Sequence, residues 1–372
     1  MNDWQYKEKE TSTASEDFKK NLMNGIRYVD KTALLIPLLD IDHETTFFLR
    51  PRRFGKTLTL SMIKYFVEDT RDPVLNQENR SLFQGLKIMG MGERYTAMMT
   101  SFPVIHLTFQ TVKGNAFDVA WDSLRGLLQK LYKNNRWVLE HESLDDIDRR
   151  YFDRICYGKD ETGQSLNLVD IRMSLQNMTE YMRKASGKRT VVLIDKYDVP
   201  LENACRNGYY RKMVDVIGPM LQNVLKTNSD NLQFAVVTGC LRIAEGIYTG
   251  LNNPDINTVN SVRDSDAIGF TEPEVRRLLA DSGLEGHFEE VKEWYDGYRF
   301  GETVIYNPWS VIKFIESLKA NSNAKPRIYW GVTSENAIIR ELAEHADDLT
   351  REKADSLLSG EEITFGLRDD IV

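Results

Sequence analysis

Runs of apolar residues bounded by polar turns indicate strands along the chain. The strong runs lie at 46–50, 103–109, 190–195 and 232–238, and they are short and rich in β-branched or aromatic residues. A weaker run lies at 257–270. Strands that are apolar at successive positions are buried on both faces, which is typical of a parallel sheet covered by helices.

Helical periodicity fills the intervals between these runs. The apolar positions Leu60, Ile63, Tyr65 and Val67 predict a helix over 57–67. Further helices are predicted at 116–132 and 167–186, with helix mixed with loop at 141–163. The alternation of strand and helix predicts the α/β fold class, with a doubly wound, mainly parallel sheet of the P-loop NTPase type.

The pattern changes near residue 271. Short helices are predicted beyond it, at 272–282, 284–295 and 309–318, around a turn-rich patch at 296–308. We therefore predict an α/β domain over 1–270 and a smaller helical domain over 271–372.

Composition narrows the class of protein. The 372 residues, 41% hydrophobic and 28% charged, are those of an ordinary globular chain. A net charge of -8 argues against a protein built mainly to coat nucleic acid. No apolar run approaches the roughly 20 residues that span a bilayer, and the first residues lack a secretion signal, so we expect a cytoplasmic protein without membrane association. The cysteines and histidines lack metal-ligand spacing, which leaves only a metal that a nucleotide would bring.

A basic turn between the first strand and the next helix resembles the pattern G-x-x-x-x-G-K-[ST]. In that pattern Lys56 reaches the β and γ phosphates, Thr57 offers its hydroxyl to Mg²⁺, and Gly55 permits close backbone approach. The alternative is a chance basic turn whose arginines are solvated. The predicted nucleotide-binding residues are Arg50, Pro51, Arg52, Arg53, Phe54, Gly55, Lys56, Thr57 and Leu58.

An acid ends the third strong run, at Asp195. Open α/β sheets bind ligands at the carboxyl ends of their strands, so Asp195 and Thr57 are predicted to hold Mg²⁺. Another strand run lies between the two motifs, as expected when a strand separates them in the sheet. The alternative for Asp195 is a carboxylate that caps the following turn.

Lys196 follows that acid, where ATPases of this layout usually carry the glutamate that polarises the attacking water. An ammonium group cannot accept that proton, so slow or absent hydrolysis is predicted. Asp198 is a possible substitute, but an extended backbone would put its side chain beside Lys196, where the two would form a salt bridge. We favour a structural or tuning role for Asp198 over a catalytic one.

Taken together, these stretches resemble one family, the bacterial AAA-ATPase-like proteins, whose ATPase region usually precedes a PD-(D/E)-x-K nuclease-like domain. The resemblance extends over about residues 14–360. It rests on YVDKT at 28–32, FLRPRRFGKT at 48–57, LIDKYDVPL at 193–201, TGCLRI at 238–243, YTGLNN at 248–253, GFT at 269–271, WYDGYRF at 294–300 and YNPW at 306–309.

The resemblance implies that Arg50 is normal at the first position of the loop, and that Lys196 departs from the usual I-D-E-Y-D string. It also implies that Thr238 is a polar sensor of the γ-phosphate, and that Arg242 senses phosphate or acts as an arginine finger. In the alternative, Thr238 caps its strand and Arg242 pairs with a surface acid. We include Asp195, Thr238 and Arg242 as candidate catalytic residues.

The aromatic strings at 294–300 and 306–309 are predicted to fix domain packing, because a nucleic-acid stacking platform would need more cations than Arg299. Relatives usually continue into a nuclease-like region, but residues 361–372 show no nuclease motif.

The leading hypothesis is an ATP-binding, Mg²⁺-dependent ATPase-like protein with slow hydrolysis, with ATP preferred on the resemblance alone. The alternatives are a non-hydrolysing nucleotide switch and a DNA-associated regulator with a nucleic-acid or protein partner at the C-terminal region.

Overall fold

Five parallel strands form the central sheet of the computed structural model, which describes residues 9–12, 15–40, 45–242, 254–329 and 347–359. The strands are β1 (Thr45–Leu49), β2 (Val104–Thr108), β3 (Thr190–Asp195), β4 (Leu232–Gly239) and β5 (Asp255–Asn257). Their order across the sheet is β2-β3-β4-β1-β5. Because every pair is parallel, all five carboxyl ends meet at one edge of the sheet.

Both faces of the sheet are buried, as the uninterrupted apolar runs predict. In β3, Val191 and Leu193 enter one hydrophobic core, whereas Val192 and Ile194 enter the other. This alternation follows from the period of two in strand side chains. A mixed α/β architecture with an all-parallel sheet is therefore confirmed.

Helices cover both faces of the sheet. The first face carries α1 (Phe18–Met23), α2 (Leu35–Leu39), α3 (Lys56–Val67), α4 (Pro73–Ser81) and α5 (Glu93–Thr96). The second carries α6 (Phe117–Asn134), α7 (Asp146–Tyr157), α8 (Leu168–Ser186), α9 (Val199–Arg206) and α10 (Tyr210–Leu225). None of the helices in the described ranges combines the length and apolar character that crossing a bilayer requires.

The C-terminal region has a core of its own, formed by α11 (Glu272–Ala280), α12 (Phe288–Tyr295) and α13 (Pro308–Ala320). A further helix, α14, spans Asp348–Leu358. An antiparallel hairpin of β6 (Tyr298–Phe300) and β7 (Thr303–Ile305) joins α12 to α13, and its Phe300 and Ile305 belong to the core of the first sheet face. A domain division at residue 271 remains a prediction.

The structure differs from the sequence-based expectations at three points. The fifth strand occupies only Asp255–Asn257, and turns replace most of the predicted run up to Phe270. Part of the predicted turn-rich patch is the β6–β7 hairpin. The strand between β1 and β3 in the sheet is β4, whereas β2, which separates them in sequence, lies at the sheet edge. The strings at 248–253 and 361–372 lie outside the described residues.

Candidate functional site

The segment from Arg50 to Leu58, called the 50–58 loop below, comprises the turn that follows β1 and the first three residues of α3, at the carboxyl edge of the sheet. Two of its residues have left-handed backbones, Arg53 with φ 72° and Gly55 with φ 96°. A Cβ at Gly55 would meet no atom within 4 Å, so conformation and not crowding makes glycine favourable there. No side chain caps the first amides of α3, which leaves N–H groups available to an anion.

Lys56 is buried and lies across the mouth of this loop. Its ammonium donates to the carbonyl oxygens of Arg50, at 2.6 Å, and Pro51, at 2.8 Å. A third contact, of 3.5 Å, reaches the sulfur of Cys240 beyond the end of β4. Since sulfur is a weak acceptor, this third N–H is the one that an entering phosphate oxygen would take most easily.

Asp195 is 1% exposed and accepts a hydrogen bond on each carboxylate oxygen. The Thr57 hydroxyl donates to Oδ2 at 2.9 Å, and the Thr238 hydroxyl donates to Oδ1 at 2.6 Å. The structure therefore brings together three residues that the sequence placed at the site from separate motifs. Thr238 lies on β4, which lies in the sheet between β3, the strand of Asp195, and β1, the strand that precedes the 50–58 loop.

Two oxygen donors here suit Mg²⁺, which prefers hard oxygen ligands and retains several from water or phosphate. Thr57 and Asp195 supply a hydroxyl and a carboxylate whose oxygens are 2.9 Å apart. The part of the chain that the structure describes has no group of three or more His, Cys, Asp or Glu that would hold a metal ion by itself. A metal ion held here would accordingly need further ligands beyond the described side chains.

Lys196 has a left-handed backbone, with φ 58°, and its ammonium turns toward Asp195. It donates to the Gln110 side chain at 2.9 Å and lies 3.5 Å from Glu16 Oε1 and 3.8 Å from Asp195 Oδ2. The predicted salt bridge between Lys196 and Asp198 is wrong. The extended backbone on which it depended does not continue through Lys196, because the chain turns there.

Asp198 instead joins two loops of the site. Its Oδ2 accepts the backbone N–H groups of Cys240, at 2.6 Å, and Leu241, at 3.0 Å. Burial raises the pKa of Asp198, while these amides and the charge of Lys56 oppose that shift. The contacts agree with the structural role that we favoured for Asp198.

Arg50 points away from the loop mouth into the protein. Its guanidinium is fully buried and donates to the carbonyl oxygens of Leu49, Asn257 and Asp264. Burial lowers the pKa of Arg50 to about 10, so the group stays charged at neutral pH, and it lies 4.8 Å from the Phe300 ring centroid. Within the predicted nucleotide-binding set, Arg50 can offer a ligand its backbone only.

The other side chains of the loop contact neighbouring elements. Phe54 is buried against Tyr298 and Phe300, with ring centroids 4.8 and 5.3 Å away. Arg52 forms an exposed ion pair with Glu202, and the Arg53 guanidinium lies 4.5 Å from the Trp309 ring. Tyr298, Phe300 and Trp309 of the aromatic strings thus pack against this loop, whereas a role of these strings in domain packing remains a prediction.

A cavity of about 430 Å³ opens beside the 50–58 loop. Its lining includes the polar side chains of Lys56, Thr57 and Lys196. It also includes an apolar part, called the apolar wall below, to which Phe270 and, from α13, Trp309 contribute. A polar part next to an apolar part suits a ligand that has a charged end and a flat organic end.

A second, more open cavity of about 630 Å³ adjoins the first at Thr57. His106 of β2 lines it, and its Nε2 has no hydrogen-bond partner among the described residues. Burial and the charge of Lys64 lower the pKa of His106 to about 4, so the ring is neutral at pH 7.

Arg242 is half-buried and follows the end of β4, but within the described chain it does not line either of these cavities. Three residues that the sequence analysis did not single out are at the site, namely Glu16, Gln110 and Cys240. Cys240 could have been found from the sequence, because it directly follows Thr238 and Gly239 at the end of a predicted strand. Nothing local marks Glu16 or Gln110, since they belong to other segments.

The fold and site define a class, an α/β protein with a basic, lysine-containing loop at the carboxyl edge of a parallel sheet. The model of a family described as predicted AAA-ATPase matches residues 13–247, and the chain belongs to this AAA-ATPase-like family.

An uncharacterized protein in the vnfD 5' region of Azotobacter chroococcum mcd 1 is 28% identical over 320 residues. The match covers 85% of this chain and 52% of the relative, so the chain spans about half the length of the curated relative that it matches. No solved structure matches the chain significantly.

Proposed function

We propose that this protein is a P-loop nucleotide-binding protein that takes ATP with Mg²⁺ and hydrolyses it slowly. The observation that carries the proposal is the meeting of the Thr57 and Thr238 hydroxyls on the buried carboxylate of Asp195, next to the loop that carries Lys56. Asp195 and Thr238 are buried at the carboxyl edge of one parallel sheet, whereas Lys56 and Thr57, at the uncapped start of α3, line a cavity there.

The triphosphate would lie against the 50–58 loop. Lys56 would exchange its weak sulfur contact for a phosphate oxygen and keep its two bonds to loop carbonyls, so the loop need not rearrange around it. The amides at the start of α3 would add N–H donors, and the helix dipole favours negative charge there. The base would lie along the apolar wall, near Phe270 and Trp309.

The metal that accompanies the nucleotide would neutralise phosphate charge and orient the γ-phosphate. Thr57 and Asp195 would hold it. The Thr57 hydroxyl, which donates a hydrogen bond to Asp195 in this structure, would offer an oxygen lone pair to the metal. Thr238 keeps Asp195 in position, because its hydroxyl donates to the second carboxylate oxygen.

Nucleotide binding is tested by titrating the purified protein with ATP and with GTP, each with and without Mg²⁺, by isothermal calorimetry. We expect Lys56→Ala to weaken ATP binding at least ~10-fold, the size of a lost charge-assisted contact. Lys64→Ala is the matched control, because Lys64 lies on the same helix in a partly buried ion pair with Glu68 and does not line the 430 Å³ cavity. ATP binding that Lys56→Ala leaves unchanged contradicts the proposal.

A second candidate is a switch that binds nucleotide without hydrolysing it. The position of Lys196 favours it, because an ammonium 3.8 Å from Asp195 occupies the place of the usual proton acceptor. In that case the wild-type protein binds ATP without releasing phosphate, and Lys196→Glu begins to release it. Brisk phosphate release by the wild type rejects the switch.

A further inference from the structure

The segment at the start of α1 is hydrogen-bonded to α3. The Tyr65 hydroxyl donates to Asp17 at 2.9 Å, and the Phe18 backbone N–H donates to the Ser61 hydroxyl at 3.0 Å. Thr57, Ser61 and Tyr65 are spaced by four residues, so they share one face of α3. The anchors therefore hold the preceding residue, Glu16, near the Thr57 end of that face.

The Glu16 carboxylate lies 3.5 Å from the Lys196 ammonium. Lys196 occupies the sequence position at which the usual proton acceptor is missing. Lys196 also contacts Gln110 and lies 3.8 Å from Asp195, so it connects Glu16 to the candidate metal ligand. The carboxylate of Glu16, from a segment distant in sequence, thus lies next to Lys196, where the chain after β3 provides only a cation.

Glu16 and Thr57 border both cavities described above. The smaller cavity contains Lys56 and would receive the phosphates, while the larger one is open and lined mainly by polar side chains. Because Glu16 borders both cavities, a phosphate in the smaller one and water in the larger one would both lie next to Glu16.

We propose that Glu16 is the general base for nucleotide hydrolysis and replaces the glutamate that is absent at position 196. This inference rests on the proposed function. In the step, the water oxygen forms a bond to the γ-phosphorus, the bond from that phosphorus to the β–γ bridging oxygen breaks, and a water proton passes to the Glu16 carboxylate. The products are ADP and inorganic phosphate.

Lys196 has a compatible part in this arrangement. The Glu16 side chain is 67% exposed, and an exposed ion pair is weak enough for the carboxylate to exchange its partner for water. The ion pair with Lys196 therefore holds the Glu16 carboxylate at the site without preventing it from accepting a proton.

The test compares wild type, Glu16→Gln, Lys196→Glu in the Glu16→Gln background, and Glu78→Gln. Glu78 is the matched control, because it pairs with Lys19 of the same N-terminal segment at 2.9 Å but lines neither cavity among the described residues. Phosphate release at saturating ATP gives kcat, and calorimetry with a non-hydrolysable ATP analogue gives the dissociation constant.

We expect Glu16→Gln to lower kcat about 100-fold, within the range that general-base catalysis contributes, with the dissociation constant changed less than about 3-fold. Glu78→Gln should keep wild-type kcat. The double variant should recover at least about 10-fold of the lost activity, because a carboxylate at position 196 restores the proton acceptor. If Glu16→Gln acted only by loosening the N-terminal segment, Lys196→Glu would not restore activity.

Wild-type kcat in Glu16→Gln, an equal loss in Glu78→Gln, or no recovery in the double variant overturns the inference alone. A wild-type protein that binds the analogue but releases no phosphate from ATP also overturns it, and leaves nucleotide binding standing. Failure of the wild type to bind nucleotide overturns the proposed function together with this inference.

Discussion

The guanidinium of Arg53 lies 4.5 Å from the ring of Trp309, so the 50–58 loop directly contacts the first turn of α13. The next residue, Phe54, packs on the β6–β7 hairpin. Two successive residues of the loop thus contact the C-terminal region. A ligand that shifts the loop would therefore change these contacts.

We therefore expect nucleotide binding to change the fluorescence of Trp309, which also lines the 430 Å³ cavity. Trp309→Phe should remove most of the change in emission that saturating ATP produces. Trp121→Phe is the control, because Trp121 packs on the core of the opposite sheet face. An undiminished change in Trp309→Phe would show that the ligand does not reach this wall.

Replacing Arg50 by glycine, which would restore the usual first glycine of the loop pattern, should destabilise the protein. The change removes the donors to three carbonyl oxygens and leaves a void beside Phe300, which should lower the free energy of unfolding by at least about 3 kcal/mol. Urea unfolding measures the change.

Arg53→Gly provides the comparison within the same loop. Arg53 is exposed and has φ 72°, so glycine relieves backbone strain while the contact with Trp309 is lost. The two effects oppose each other, and we expect a net change within about 1 kcal/mol. Equal stability of Arg50→Gly and wild type would contradict the structural role of Arg50.

His106 should make the unliganded protein less stable in acid. Its pKa is lowered from 6.5 to about 4 in the folded protein, by burial and by Lys64 against the opposing charges of Asp195 and Asp17. The unfolded chain therefore binds a proton first as the pH falls. The stabilisation is complete above pH 6.5 and is lost between 6.5 and about 4, with a size on the order of 3 kcal/mol.

Urea unfolding of wild type and His106→Asn at pH 7 and pH 4.5 isolates this contribution, since the carboxylates titrate alike in the two proteins. The wild type should lose more stability than the variant over this interval. Parallel losses would mean that His106 titrates normally in the folded state.

Cys240 should react with a thiol reagent more slowly than Cys205. Burial raises the pKa of the Cys240 thiol against the opposing charges of Lys56 and Arg52, so little thiolate is present at pH 7, whereas Cys205 is exposed. ATP should slow Cys240 further, because the ligand fills the cavity that this side chain lines. Mass spectrometry after timed alkylation gives both rates.

The Cys205 rate serves as the internal control and should not respond to ATP. In Cys240→Ser the nucleotide-sensitive alkylation should disappear. A Cys240 rate that saturating, calorimetrically verified ATP leaves unchanged would show that the nucleotide binds elsewhere.

The sequence by itself determined the local structure of the site. The apolar runs predict β1 to β4 closely, and the helical period predicts α3, α6 and α8 within a few residues. Gly55 and Lys56 also appear where the loop pattern places them. These features depend on neighbouring residues, through side-chain periodicity and the backbone freedom of glycine, so they are visible in a short stretch of chain.

Only the tertiary structure decided which distant residues meet. It placed β4 between β1 and β3, turned Arg50 into the core, and set Glu16 against Lys196. No periodicity carries such information, because contacts between segments far apart in sequence depend on how all the buried surfaces pack at once. The proposed acceptor for hydrolysis was therefore visible only after the N-terminal segment had been docked on α3.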